Sequence, residues 1–241
     1  MAVLTLFGQP ASPASLTVDT AGYTLGVQFT VSSSGVASAA VTAIWFFSAP
    51  TAIELPQHIA LFAVTGHVLA ASQVPTWSGA AGSGWVRAPF TVPPALTLGA
   101  SYKACVQDAS GNSFYSNTGA YWSTGAGSAG IVNGPLSAPN NAGGDGGQDT
   151  FATPSGAVTY PASSFNASNY WIDVEVTTTA PPATGGPPPG GGRSMLARHL
   201  AWAQYHRSAH ARWRASMDLP PPGGGPPAAG GAVVITSTST Q

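Results

Sequence analysis

Few residues in this 241-residue chain have the types and spacing that chemistry requires. Asn140-Asn141-Ala142-Gly143-Gly144-Asp145-Gly146-Gly147-Gln148-Asp149 interleaves carboxylates with glycine. Such a pattern suits calcium, which takes carboxylate and carbonyl oxygens on a sharply bending backbone. Asp145 and Asp149 are the candidate ligands, but no nonapeptide repeat accompanies them, and a surface loop without metal is the preferred reading. His206 and His210 stand four apart, the spacing at which two imidazoles on a helix share a metal. No glutamate or cysteine completes a zinc site beside them, so solvated or packed histidines are expected.

Catalysis finds less support still. The eight carboxylates form no paired motif, Gly-x-Ser-x-Gly is absent, and only His58 and His67 precede residue 180 as possible bases. Neither an enzyme nor a cofactor is expected. Trp77, Tyr115, Tyr121, Trp122 and Tyr160 lie in or beside loop segments. Tyr121 and Trp122 are the candidate glycan-binding pair, since an exposed aromatic face stacks on a sugar ring. The alternative is that these aromatics fill the space between sheets.

The third candidate is a C-terminal device. Ser194 is a suitable N-cap for a helix running to about Met217, and Pro220-Pro221-Pro222 stops it. Met195, His199, Trp202, His206, Ala209 and Trp213 follow a 4-3-4-3-4 spacing that makes one seam, with Arg198, Arg207, Arg212 and Arg214 mostly away from it. A seam of this kind docks on a protein partner or pairs with its own copies. Contact with a membrane surface or nucleic acid through the arginines, and folding back on the same chain, are the alternatives. Beyond it, Ala232 to Thr238 has strong β propensity, and Val233, Val234 and Ile235 would add to a neighbour's sheet edge.

The bulk numbers agree with a structural protein. Only 6% of residues are charged, against roughly 25% in an average soluble chain, which is the composition of surface-exposed and virion β-proteins. Residues 1–180 carry Arg87 and Lys103 against seven carboxylates, a net charge of −5, while 193–218 carry five arginines against Asp218, or +4. An acidic head and a basic tail meet different partners. The single cysteine, Cys105, allows no intrachain disulfide and reads as a small buried hydrophobe. No secretory signal is evident in the first residues and no apolar run is long enough to span a membrane.

The head reads as strands. Val3 to Phe7 is a short arm or first strand, and Tyr23 to Val31 alternates as a strand with one wet face. Val36 to Phe47 is a central strand buried on both faces. Ile59 to Val64 and Val68 to Val74 flank Thr65-Gly66-His67 as a hairpin. Trp85 to Val92 and Ser101 to Gln107 follow. Ser113 to Tyr115, Ala120 to Ser123 and Val158 to Tyr160 are short candidates inside a long Gly/Ser/Asn-rich stretch expected to hold any binding loop. Asn166 to Val176 closes the domain, with Tyr170, Ile172, Val174 and Val176 on one side and Trp171, Asp173, Glu175 and Thr177 on the other. The whole is an all-β, two-sheet antiparallel, jelly-roll-like sandwich. Its organisation is an arm (1–14), the sandwich (15–178), a Pro/Gly linker (179–192), the basic helix (193–218), a second linker (219–231) and a β-prone tail (232–241).

Several of these segments resemble a family of extracellular β-sandwich domains of unknown function. They are Ala60 to Ala70, Gly84-Trp85-Val86 with Phe90, Thr97 to Tyr102, Asn133-Gly134-Pro135-Leu136, and the closing Phe165 to Val174. The resemblance spans about Ser15 to Thr178 and implies a β-sandwich of the kind found in bacterial surface proteins and phage structural proteins. Together these features lead us to expect a non-enzymatic structural protein of a bacteriophage virion, a minor tail, fibre or capsid decoration protein. It would sit on the virion surface, bound to other virion proteins or to its own copies through the C-terminal region and contributing to attachment to host cell-wall glycan. An extracellular carbohydrate-binding module of a bacterial surface protein is the alternative.

Overall fold

β-branched and aromatic residues recurring at two-residue intervals between Gly/Pro turns form the strands of a computed structural model that describes residues 1–8, 13, 17–18, 22–110 and 115–182. The basic helix, the second linker, the β-prone tail and most of the first linker lie outside the described residues. In chain order the strands are β1 (Ala2–Thr5), β2 (Thr17–Val18), β3 (Thr24–Val31), β4 (Ser38–Ser48), β5 (His58–Ala63), β6 (Val68–Gln73) and β7 (Gly84–Pro89). They continue with β8 (Ala95–Leu96), β9 (Ser101–Gln107), β10 (Ser116–Asn117), β11 (Ile131–Asn133), β12 (Leu136–Ala138), β13 (Asp149–Ala152) and β14 (Ile172–Thr179).

Two antiparallel sheets face each other. One runs β1-β14-β4-β7, with β8 also on β4; the other runs β11-β12-β3-β9-β5-β6, with β13 also on β3. Between them lie Ile44 and Phe46 of β4, in register with Val174 and Ile172 of β14, and Val27, Phe29, Ile59 and Leu61 from the opposite sheet, all fully buried. Each such side chain contributes about 1.5–3 kcal/mol by leaving water. The β5–β6 hairpin turns through Thr65–His67 as expected, with Gly66 at φ +74° and His67 at φ +54°.

Several expectations need correction. The segment read as an arm or first strand is a strand: Ala2–Thr5 pairs with β14 from Ala2↔Thr178 to Thr5↔Glu175, joining the two ends of the domain. β3 has no wet face, because residues 145–163 lie over the side expected to meet solvent. Thr24 donates to Gln107 Oε1 at 2.8 Å, and Gln148 donates to the Gln28 carbonyl at 2.6 Å. Gly26 permits that approach, since a Cβ there would stand 2.7 Å from Cys105 Sγ and 2.9 Å from Pro161 Cγ. β14 likewise has both faces buried, Asp173 and Glu175 included, and begins at Ile172 rather than Asn166. Asn166, Ala167 and Trp171 have φ of +50°, +44° and +54°, which no regular strand accommodates. Ala120 to Ser123 is a turn, Val158 to Tyr160 is irregular, and of Ser113 to Tyr115 the first two residues lie outside the described residues while Tyr115 forms an isolated bridge with Ser48.

The long Gly/Ser/Asn-rich stretch expected to hold any binding loop is, where described, folded onto the sandwich. β13 pairs with β3 from Asp149↔Val27 to Ala152↔Thr24 and carries the Asp149 carboxyl into the interior. Asp149 Oδ2 accepts the Tyr170 N–H at 2.8 Å. Burial pushes this carboxyl up to about 8, against the opposing pull of Tyr170, the Trp122 indole and the Lys103 charge. The folded chain therefore keeps a proton that the unfolded chain releases near pH 4, and this contribution to stability is full below pH 4 and lost as the pH rises to about 8. Asp149→Asn, neutral at every pH, should gain stability over the parent between pH 5 and pH 8, by up to about 1.4 kcal/mol per pH unit. Urea unfolding at the two pH values checks this, and a constant difference contradicts it.

Candidate functional site

Alternation along three neighbouring strands builds one outer sheet face. Ile44 and Phe46, Val86 and Ala88, and Ile172 and Val174 point into the core, so Trp45, Arg87, Asp173 and Glu175 point the other way. Asp173, Trp45 and Arg87 form one cross-strand row, and Phe47 and Trp85 the next. At the register shift between Glu175 and Val176, Thr42 is the extra residue of β4, and this bulge re-aims its hydroxyl toward Glu175.

Glu175 is the hub. Its Oε1 accepts from Arg87 Nη2 and Thr42 Oγ1, both at 2.7 Å, and its Oε2 accepts from Arg87 Nε at 2.9 Å and Trp45 Nε1 at 3.3 Å. The Arg87 fork holds this carboxyl below the usual carboxylate range against the opposing effect of burial. The same contact raises Arg87. Arg87 is further fixed by its backbone, whose N–H donates to Ser78 Oγ and whose carbonyl accepts the Ser78 N–H. Its side chain remains 32% exposed against 11% for Glu175, and Trp45 and Trp85 are half-buried. Asp173 does different work: Oδ1 accepts the Leu6 N–H at 2.7 Å and Oδ2 the Phe7 N–H at 3.1 Å, pinning the end of β1.

An aromatic chain extends from this face. Phe47 meets Trp85 edge-on at 5.5 Å, Trp85 meets Trp171 at 6.5 Å, and Trp171 meets Phe7 and Tyr121 at 5.6 and 5.5 Å. Here the expected glycan pair needs correction. Trp122 is fully buried and presents no face to a sugar ring, and Tyr121 is packed edge-on against it at 4.9 Å. The turn that carries them folds over the end of the sandwich, with the Trp122 N–H donating to the Ala167 carbonyl.

The two calcium candidates do not converge either. Asp149 faces the core. Asp145 lies on the opposite side of β3, where its Oδ2 accepts from Tyr160 Oη at 2.5 Å and meets His67 Nε2 at 3.1 Å. The cation beside Asp145 is Lys103, fully buried, whose ammonium donates to the Asp145 and Pro161 carbonyls and to Thr150 Oγ1 at 2.6, 2.9 and 2.9 Å. Burial lowers the Lys103 pKa. With all three protons committed, Lys103 ties the covering segment to β9. Met195, His199, Trp202, His206, Trp213, Val233, Val234 and Ile235 lie outside the described residues.

A family model described as "Domain of unknown function (DUF4082)" matches residues 9–172. The chain belongs to the DUF4082 family. A comparison with curated proteins finds no match. The DUF4082 match covers β2 to β13 and reaches the first residue of β14, while Asp173 and Glu175 lie just beyond it. Among the described residues of this DUF4082 chain, no helix is long and apolar enough to cross a membrane.

Glu175→Gln puts an amide nitrogen where four donors converge. It should cost about 1–3 kcal/mol at pH 7. Because the Glu175 pKa is depressed, its contribution is present above the unfolded carboxylate value and lost as the pH falls through the folded one. The difference from the parent should therefore close below about pH 4 in chemical denaturation. A difference independent of pH contradicts the hub.

Proposed function

We propose that this chain is a non-enzymatic structural and attachment protein whose sandwich is displayed on a surface and holds polysaccharide on the outer face of β14, β4 and β7. The observation that carries the reading is the Trp45–Arg87–Glu175 constellation: a half-buried indole and a part-exposed guanidinium locked side by side on rigid strands. An indole gives a flat apolar platform for a pyranose ring, and a fixed guanidinium gives directed donors for its oxygens. Glu175 is unsuited to acid catalysis, since its pKa is depressed and both oxygens are taken up by donors. Acid catalysis requires a proton held near the working pH.

The setting we favour is a bacteriophage virion, with residues 183–241 anchoring the chain to other virion proteins. The support is compositional: a head of −5 joined through Pro/Gly linkers to an arginine-rich segment with a Trp seam. The same sheet face also suits a carbohydrate-binding module of a bacterial surface protein, the second reading.

Trp45→Ala and Arg87→Ala should each weaken retention of the full chain on the cell-envelope polysaccharide of its host by about tenfold, with the far-ultraviolet spectrum unchanged. Retention equal to the parent in both variants would falsify the site. Separately, Trp202→Ala with Trp213→Ala should release the protein from its particle without changing the melting of the sandwich. Normal incorporation of that double variant removes the anchoring role.

A further inference from the structure

Resting on the polysaccharide reading, the charge arrangement narrows its ligand: we infer that this face takes a neutral pyranose polymer and not a polyanion. The groups that a ligand meets are few. Arg87 supplies the cation, and Glu175 balances it at 2.7 and 2.9 Å. Asp173, opposite Trp45 in the same row, adds a fully buried carboxylate to the charge on this side of the sheet. Residues 1–180 contain no arginine but Arg87 and one lysine, Lys103, which is fully buried on the other sheet. A uronate, phosphate or sulfate chain laid on Trp45 would therefore meet a field that is neutral to negative. Among the described residues, this face lacks the basic patch that polyanion recognition relies on.

The hydrogen-bonding inventory points the same way. A guanidinium has five N–H donors; Nε and one Nη2 proton of Arg87 go to Glu175, which leaves three on a side chain that is 32% exposed. Glu175 accepts from four donors and has little capacity left for a ligand hydroxyl. The site thus offers a stacking plane plus donors. Ring and hydroxyl oxygens of a neutral sugar match such a site, and they exert no long-range attraction that salt would screen.

The test uses the full chain with two soluble probes of similar length, dextran or a β-glucan as the neutral polymer and polygalacturonate as the polyanion. Affinity would be measured by calorimetry or affinity electrophoresis at about 20 and about 300 mM NaCl. The expected result is binding to the neutral polymer that changes by less than about twofold between the two salts. Arg87→Ala should weaken it about tenfold, with polygalacturonate unbound at the higher salt. Binding confined to polygalacturonate and weakened by salt overturns the neutral class while leaving the attachment reading intact. Binding to neither probe, with envelope polysaccharide still retained, also overturns it. Loss of every polysaccharide interaction overturns the attachment reading itself.

Discussion

Buried carboxylates must be met by donors, and the two on β14 organise the sheet around that requirement. Asp173 takes the backbone N–H groups that follow β1, while Glu175 takes Thr42 and Trp45 from β4 and Arg87 from β7. One strand thereby ties the other three through side chains as well as through its ladder. The arrangement leaves Trp45 and Arg87 fixed in orientation, and preorganisation of this kind cuts the entropy cost of binding.

The opposite sheet solves the same problem with inverted charge. Lys103 is buried on the outer side of β9, and its three protons draw Asp145, Thr150 and Pro161 over the strand. The outcome is an asymmetry between the two outer faces. That of β3 and β9 is sealed by residues 145–163, whereas that of β4 and β7 keeps an indole and a guanidinium in reach of solvent. In this DUF4082 chain the loop-like stretch serves as a cover, and the strands carry the candidate site.

Much of the architecture was legible from local pattern. Alternation located β3, β9 and the β5–β6 hairpin almost to the residue, because periodicity and the Thr65-Gly66-His67 turn are local properties. The same alternation placed Asp173 and Glu175 on one side of the last strand. That side is buried as well, because Glu175 is met by Arg87, 88 residues away, and Asp173 by Leu6, 167 away, and no local pattern announces such partners. Trp122 misled for the converse reason. Its Gly- and Ser-rich surroundings resemble an exposed loop, yet that turn packs over the sandwich end and buries the ring. A sharper signal was present in Trp85 and Arg87, which alternate with the apolar Val86 and Ala88 on their strand; pairing β4 with β7 was needed to set Trp45 beside them.

The most direct test of the account is a titration of the full chain with a neutral glucan, followed by the indole N–H resonances of its tryptophans in a nitrogen–proton correlation spectrum. Trp45 Nε1 donates to Glu175 at the centre of the proposed face, and Trp122 is sealed in the core. The Trp45 signal should shift in a saturable manner while that of Trp122 stays in place. Saturable binding that leaves Trp45 unmoved, or that shifts only Trp202 and Trp213, would contradict it.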